Sequence, residues 1–97
     1  MLNYLLNMSY TAILFDRSGN ASPPLPCEIY SNGTELEIDA ELSYEYVNSC
    51  NLVHILDDNQ KISAHEVLGY NFQGDTIING VNASRSGQYI LAISLAL

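Results

Sequence analysis

The chain has 97 residues, 47 % of them hydrophobic and 14 % charged, with three Lys or Arg against eleven Asp or Glu and a formal net charge of −8. This length supports one hydrophobic core and the apolar content is too high for a disordered chain, so a single domain over 1–97 is expected. Arg17, Lys61 and Arg85 are too few to neutralise phosphates or an anionic bilayer, which argues against direct binding to nucleic acid or membrane and leaves a positively charged partner open.

In chain order, the apolar start MLNYLLNMSY lacks the basic region of a signal peptide, and no stretch approaches the ~18 apolar residues of a membrane span, so a cytoplasmic protein is expected. Residues 9–15, SYTAILF, have the β-branched and aromatic content of a strand, and Asp16-Arg17-Ser18-Gly19-Asn20 reads as a turn. Pro23, Pro24 and Pro26 interrupt regular structure before a short strand at 27–30. Asn32-Gly33 is the signature of a type I′ hairpin turn, which places the next strand from Thr34.

From Leu36 to Tyr46 every even position is apolar, and from Glu35 to Glu45 every odd position is polar. Period two predicts a half-buried strand over 34–46, with Tyr44 and Tyr46 facing inward. The capping box Thr34-x-x-Glu37 favours a helix instead, but a helix would scatter these apolar residues around its axis. Residues 51–56 (NLVHIL) predict another strand and 57–60 a turn. Ser63-Ala64-His65-Glu66 matches a capping box, and Gly69 would end a short helix after Leu68. Asn79-Gly80 suggests a hairpin, Ser84-Arg85-Ser86-Gly87 a further turn, and Gln88–Leu97 a last strand, apolar on both faces and so central in a sheet or under a helix. The expected fold class is α+β, sheet-dominated: a small antiparallel β-sheet with one or two short helices.

No catalytic motif, phosphate loop or nucleophile elbow occurs, so no enzymatic activity is expected. Cys50-x-x-x-His54 with Cys27 and His65 lacks the paired spacing of a zinc site, and Asp57-Asp58-Asn59 lacks the Gly and Glu of a calcium loop, so no metal or cofactor is expected. Two cysteines are too few for a disulfide scaffold, and reduced, buried thiols are the expectation for Cys27 and Cys50.

The charge is unevenly placed. Residues 1–27 and 67–97 each sum to zero, while 28–66 hold nine acids and one base, the whole −8. On a strand, Glu35, Glu37, Asp39, Glu41 and Glu45 share one face, with alternate carboxylates ~7 Å apart along a line. Phosphates on one DNA strand rise ~3.4 Å each along the axis and stand farther apart through space because the backbone winds, a comparable spacing. A row without interleaved Lys or Arg repels itself by a few tenths of a kcal/mol per close pair, by analogy with measured like-charge neighbours. Solubility and protection of a sheet edge would each also favour acidic side chains here.

In size, acidity and this carboxylate row, the chain resembles small phage-encoded inhibitors that imitate DNA, notably anti-CRISPR proteins. The resemblance rests on physical character across 28–66 and on no motif. It implies an inhibitor in the cytoplasm of a bacterial host that occupies the Lys/Arg-lined channel of a nucleic-acid-binding complex, such as a type I CRISPR surveillance complex, and excludes target DNA. Glu35, Glu37, Asp39, Glu41 and Glu45 would form the principal row, flanked by Glu28, Asp57, Asp58 and Glu66. Two alternatives are an immunity protein neutralising a cationic nuclease toxin, and a small structural or virion protein with a solubilising acidic face.

Overall fold

The computed structural model describes residues 9–79 and 82–96. Six strands, β1 (Tyr10–Asp16), β2 (Leu25–Tyr30), β3 (Glu35–Ser43), β4 (Cys50–Leu56), β5 (Ile62–Asn79) and β6 (Asn82–Ile93), close into an antiparallel barrel in the order β1-β2-β3-β6-β5-β4. Among the described residues one α-helix, α1 (Tyr44–Ser49), follows β3. The architecture is therefore mostly β rather than the expected α+β sheet with one or two helices. Closure pairs β1 with β4, joining the first and last strands of the sheet order.

The alternation along each strand fills the barrel. Ala12 and Leu14 of β1, Leu36 and Ile38 of β3, Val53 and Ile55 of β4, and Tyr89, Leu91 and Ile93 of β6 are buried, and Val47 of α1 joins the same core. The predicted strand over 34–46 ends at Ser43, and residues 44–49 turn into α1. Tyr46 therefore sits on the helix, where its hydroxyl donates to Leu14 O at 3.1 Å and fixes α1 against β1.

Cross-strand pairing overrides two local signals. Residues 63–68 form strand, not a short helix: Leu52 to Leu56 of β4 pair with Glu66 to Ile62. The Ser63 hydroxyl that a capping box would require bonds His65 Nε2 instead, at 2.8 Å. Residues 84–87 are not a turn either; they lie within β6, paired on one side with Ser43–Ala40 and on the other with Ile77–Gly74. A register shift between Val67 and Gly69 marks where β5 passes from β4 to β6, and Leu68 there is 64 % exposed. The last strand is paired on both sides, but only one of its faces is buried, since the barrel's outer face meets solvent: Ala92 is exposed between buried Leu91 and Ile93. Asn79 pairs with Asn82, and the Gly80 and Val81 of the predicted hairpin lie outside the described residues, as do Met1–Met8.

The other turns follow their side chains. Between β2 and β3, Ser31, Asn32 and Gly33 all have positive φ (54°, 57° and 91°), and Tyr30 pairs with Glu35, so the loop spans four residues rather than two. After β1, Asp16 Oδ1 accepts from Ser18 N and Asn20 N at 2.9 and 2.8 Å, and Oδ2 accepts from Asn20 Nδ2 at 3.0 Å. The Asn20 side-chain bond first, with the backbone N–H groups, holds the Asp16 carboxyl below its ordinary 3.8. A depressed folded-state pKa contributes stability that is complete above the unfolded value and is lost as pH falls through the folded one. Asp16→Ala is thus expected to lower the Tm at pH 7, with the gap from the parent protein narrowing as both are titrated below pH 3.8; parallel melts from pH 7 to 2 measure it.

Cys27 and Cys50 are buried, free thiols. Burial, then the Glu28 charge, pushes Cys27 up to about 11, and burial also raises Cys50, whose Sγ donates to Tyr46 O at 3.2 Å. Neither thiol is expected to react with DTNB at pH 8 in the native protein, and both should react once guanidinium unfolds it; rapid native labelling would contradict the burial.

Candidate partner-binding face

The pleat of β3 puts Leu36 and Ile38 inside the barrel and leaves Glu35 and Glu37 half-exposed on its outer side. Asp39 and Glu41 continue the same parity, at register positions opposite Gln88 and Ser86 of β6; their side chains lie outside those described. Antiparallel pairing adds a second line. Glu28 of β2 stands directly opposite Glu37, and Tyr30 directly opposite Glu35. With strands about 4.8 Å apart and alternate residues ~7 Å apart, this makes a two-strand patch of carboxylates rather than a single row.

Neutral donors hold these carboxylates. The Tyr30 hydroxyl donates to Glu28 Oε2, Ser31 Oγ donates to Glu35 Oε1, and Gln88 Nε2 donates to Glu37 Oε1 at 3.0 Å. Donation to Glu28 is the largest cause that pushes the Tyr30 phenol up to about 12, with the Glu37 charge adding to it. Among the described side chains, Arg17 reaches Ser49 O at 3.5 Å and Lys61 belongs to the turn after β4.

The remaining predicted residues are not brought to this patch. Glu45 is exposed on α1, because the strand that would have carried it stops at Ser43. Asp57 and Asp58 serve the β4–β5 turn: Asp57 Oδ1 accepts from Asn59 N and Lys61 N at 2.9 and 3.0 Å, and Asp58 Oδ2 accepts from Ser9 N at 3.2 Å. Glu66 lies opposite Leu52, on a strand separated from β3 by β6. Sequence reasoning missed Tyr30 and Gln88. Tyr30 was detectable, since it shares a strand face with Glu28 two residues away; Gln88 became visible only through the β3–β6 register. Asp75 also joins by register, opposite the Ser86 that pairs with Glu41, although the sequence places it in a charge-neutral segment.

Among the described residues, no group of three His, Cys, Asp or Glu comes together to hold a metal, and no helix is long and apolar enough to cross a membrane. No family model, curated protein or solved structure matches the chain.

Proposed function

We propose that this protein is a DNA-mimicking inhibitor whose β2–β3 outer face occupies the cationic channel of a nucleic-acid-binding complex, such as a type I CRISPR surveillance complex in a bacterial cytoplasm. The observation that carries the reading is the direct pairing of Glu28 with Glu37, whose donors among the described side chains, Tyr30 and Gln88, are neutral. Neutral donors leave the charge of Glu28 and Glu37 available to an outside cation, where Lys or Arg would compensate it. Tyr30, 46 % exposed beside Glu28, offers a ring face on which a partner's Arg can lie while its guanidinium meets the carboxylate. The interaction is competitive and non-enzymatic: the face excludes DNA by filling the same phosphate-binding sites, with association steered by charge.

The test is a mobility shift of target DNA by a purified type I surveillance complex, titrated with this protein at two salt concentrations. Displacement that weakens as salt rises supports the reading. DNA binding unaffected at micromolar protein overturns it for that complex. Neutralisation of a cationic nuclease toxin in a parallel arm would assign the same face to immunity instead.

A further inference from the structure

Ser63 and His65 alternate along β5 and share its inward parity, opposite buried Ile55 and Val53 of β4. His65 is 7 % exposed and both its ring nitrogens are engaged: Nδ1 lies 2.7 Å from Ser94 O and Nε2 lies 2.8 Å from Ser63 Oγ. A backbone carbonyl can only accept, so in the neutral ring Nδ1 carries the hydrogen. Nε2 is then the bare nitrogen, and the Ser63 hydroxyl donates to it. That is the order of groups a nucleophilic hydroxyl requires: a base at hydrogen-bond distance, and a third group that fixes the base's tautomer and orientation. Ser94 is held to β5 on its own account, its N–H donating to Glu66 O at 3.0 Å and its Oγ accepting from Glu66 N at 2.8 Å.

Ser63 also faces space. It lines a cavity of about 220 Å³ with Tyr10, Ile29, Ile55, Ile62, Asp57 and Lys61. At roughly 30 Å³ per water, the volume takes a group of a few heavy atoms, and the isoleucine and tyrosine walls suit a short acyl chain.

We propose that Ser63 is an activated nucleophile and His65 its base, forming an acyl-transfer site for small esters at this cavity. Ser63 Oγ forms a bond to the acyl carbon as its proton passes to His65 Nε2. The ester C–O bond breaks, and the alcohol leaves with that proton. Water then attacks the Ser63 ester, giving one proton to His65, which returns it to Ser63 Oγ as the acid is released. The site is separate from the acidic face and does not depend on its role.

A fluorophosphonate probe on the full chain, read by intact mass and peptide mapping, tests the assignment. One adduct on Ser63 is expected, absent in Ser63→Ala and formed about a hundredfold more slowly in His65→Gln, the lower end of what a positioned base contributes. Circular dichroism checks the fold of each variant. If His65→Gln does not fold, the parent chain in guanidinium supplies the comparison, since unfolding separates Ser63 from His65 and should abolish labelling. No adduct on native Ser63, an unchanged rate in folded His65→Gln, or equal labelling of the unfolded chain would each overturn the proposal.

Discussion

Tyr89→Ala is expected to lower the unfolding free energy by about 3–5 kcal/mol, the range for removing a large aromatic from a core. Tyr89 is fully buried at the centre of β6, with Ile38 of β3 and Phe72 of β5 as its register partners. Its ring meets Phe72 at a centroid distance of 4.7 Å and Tyr70 at 6.1 Å, both tilted, so one side chain joins β6 to β5. Its hydroxyl donates to Leu42 O at 2.9 Å, which ties it to the end of β3 as well. Truncation leaves a cavity bounded by paired strands that cannot collapse into it. Small domains are stable by only about 5–15 kcal/mol, so the variant should be close to unfolding at 37 °C. Tyr89→Phe keeps the rings and loses the donor, at a cost of about 1 kcal/mol. Urea denaturation of the three proteins gives both differences. Similar losses for Ala and Phe would mean that the hydroxyl, not the ring, dominates.

The triple variant Glu37→Lys, Asp39→Lys, Glu41→Lys should fold and fail to inhibit. All three positions have outward parity on β3, so reversal leaves the core residues Leu36 and Ile38 in place. Each close like-charge pair costs only a few tenths of a kcal/mol, and the stability change should stay within about 1 kcal/mol in either direction. Against a Lys/Arg channel the effect is much larger. Like-charge juxtaposition across an interface costs several kcal/mol, so the concentration needed to displace DNA should rise at least about a thousandfold. Glu66→Lys changes charge on a strand separated from β3 by β6, and it should shift displacement by no more than about threefold. The comparison distinguishes a defined face from net charge alone. If the triple variant displaces DNA as well as the parent, the proposed function fails; if Glu66→Lys is equally damaging, the outer face of β2–β3 is not the contact.

How legible the molecule is depends on the range of the interactions that build it. The turns at Asp16–Asn20 and 57–60 are local, each made by an Asp side chain capping nearby N–H groups, and composition was enough to place them. Period two along β3 survives because one face must be buried, and it held as far as Ser43. The capping box at Ser63–Glu66 and the turn-like Ser84–Gly87 misled because their hydrogen-bonding groups are claimed by distant strands, at energies that local preference does not match. The end of β3 was equally opaque: the alternation continues to Tyr46, and only the packing of Val47 and Tyr46 against the core requires the chain to turn there.

By itself, the sequence determined that the charge is concentrated in the middle of the chain, that most of it alternates with apolar residues, and that the protein is built mainly of strands. These are properties of composition and of the two-residue repeat of an extended backbone, which need no partner strand. Tertiary structure alone decided that the strands close into a barrel, that Glu28 faces Glu37, that Glu45, Asp57, Asp58 and Glu66 stand apart from them, and that the Ser94 carbonyl meets the His65 ring. Each of these follows from register between segments distant in sequence, and register is set by how the whole set of apolar faces closes around one core.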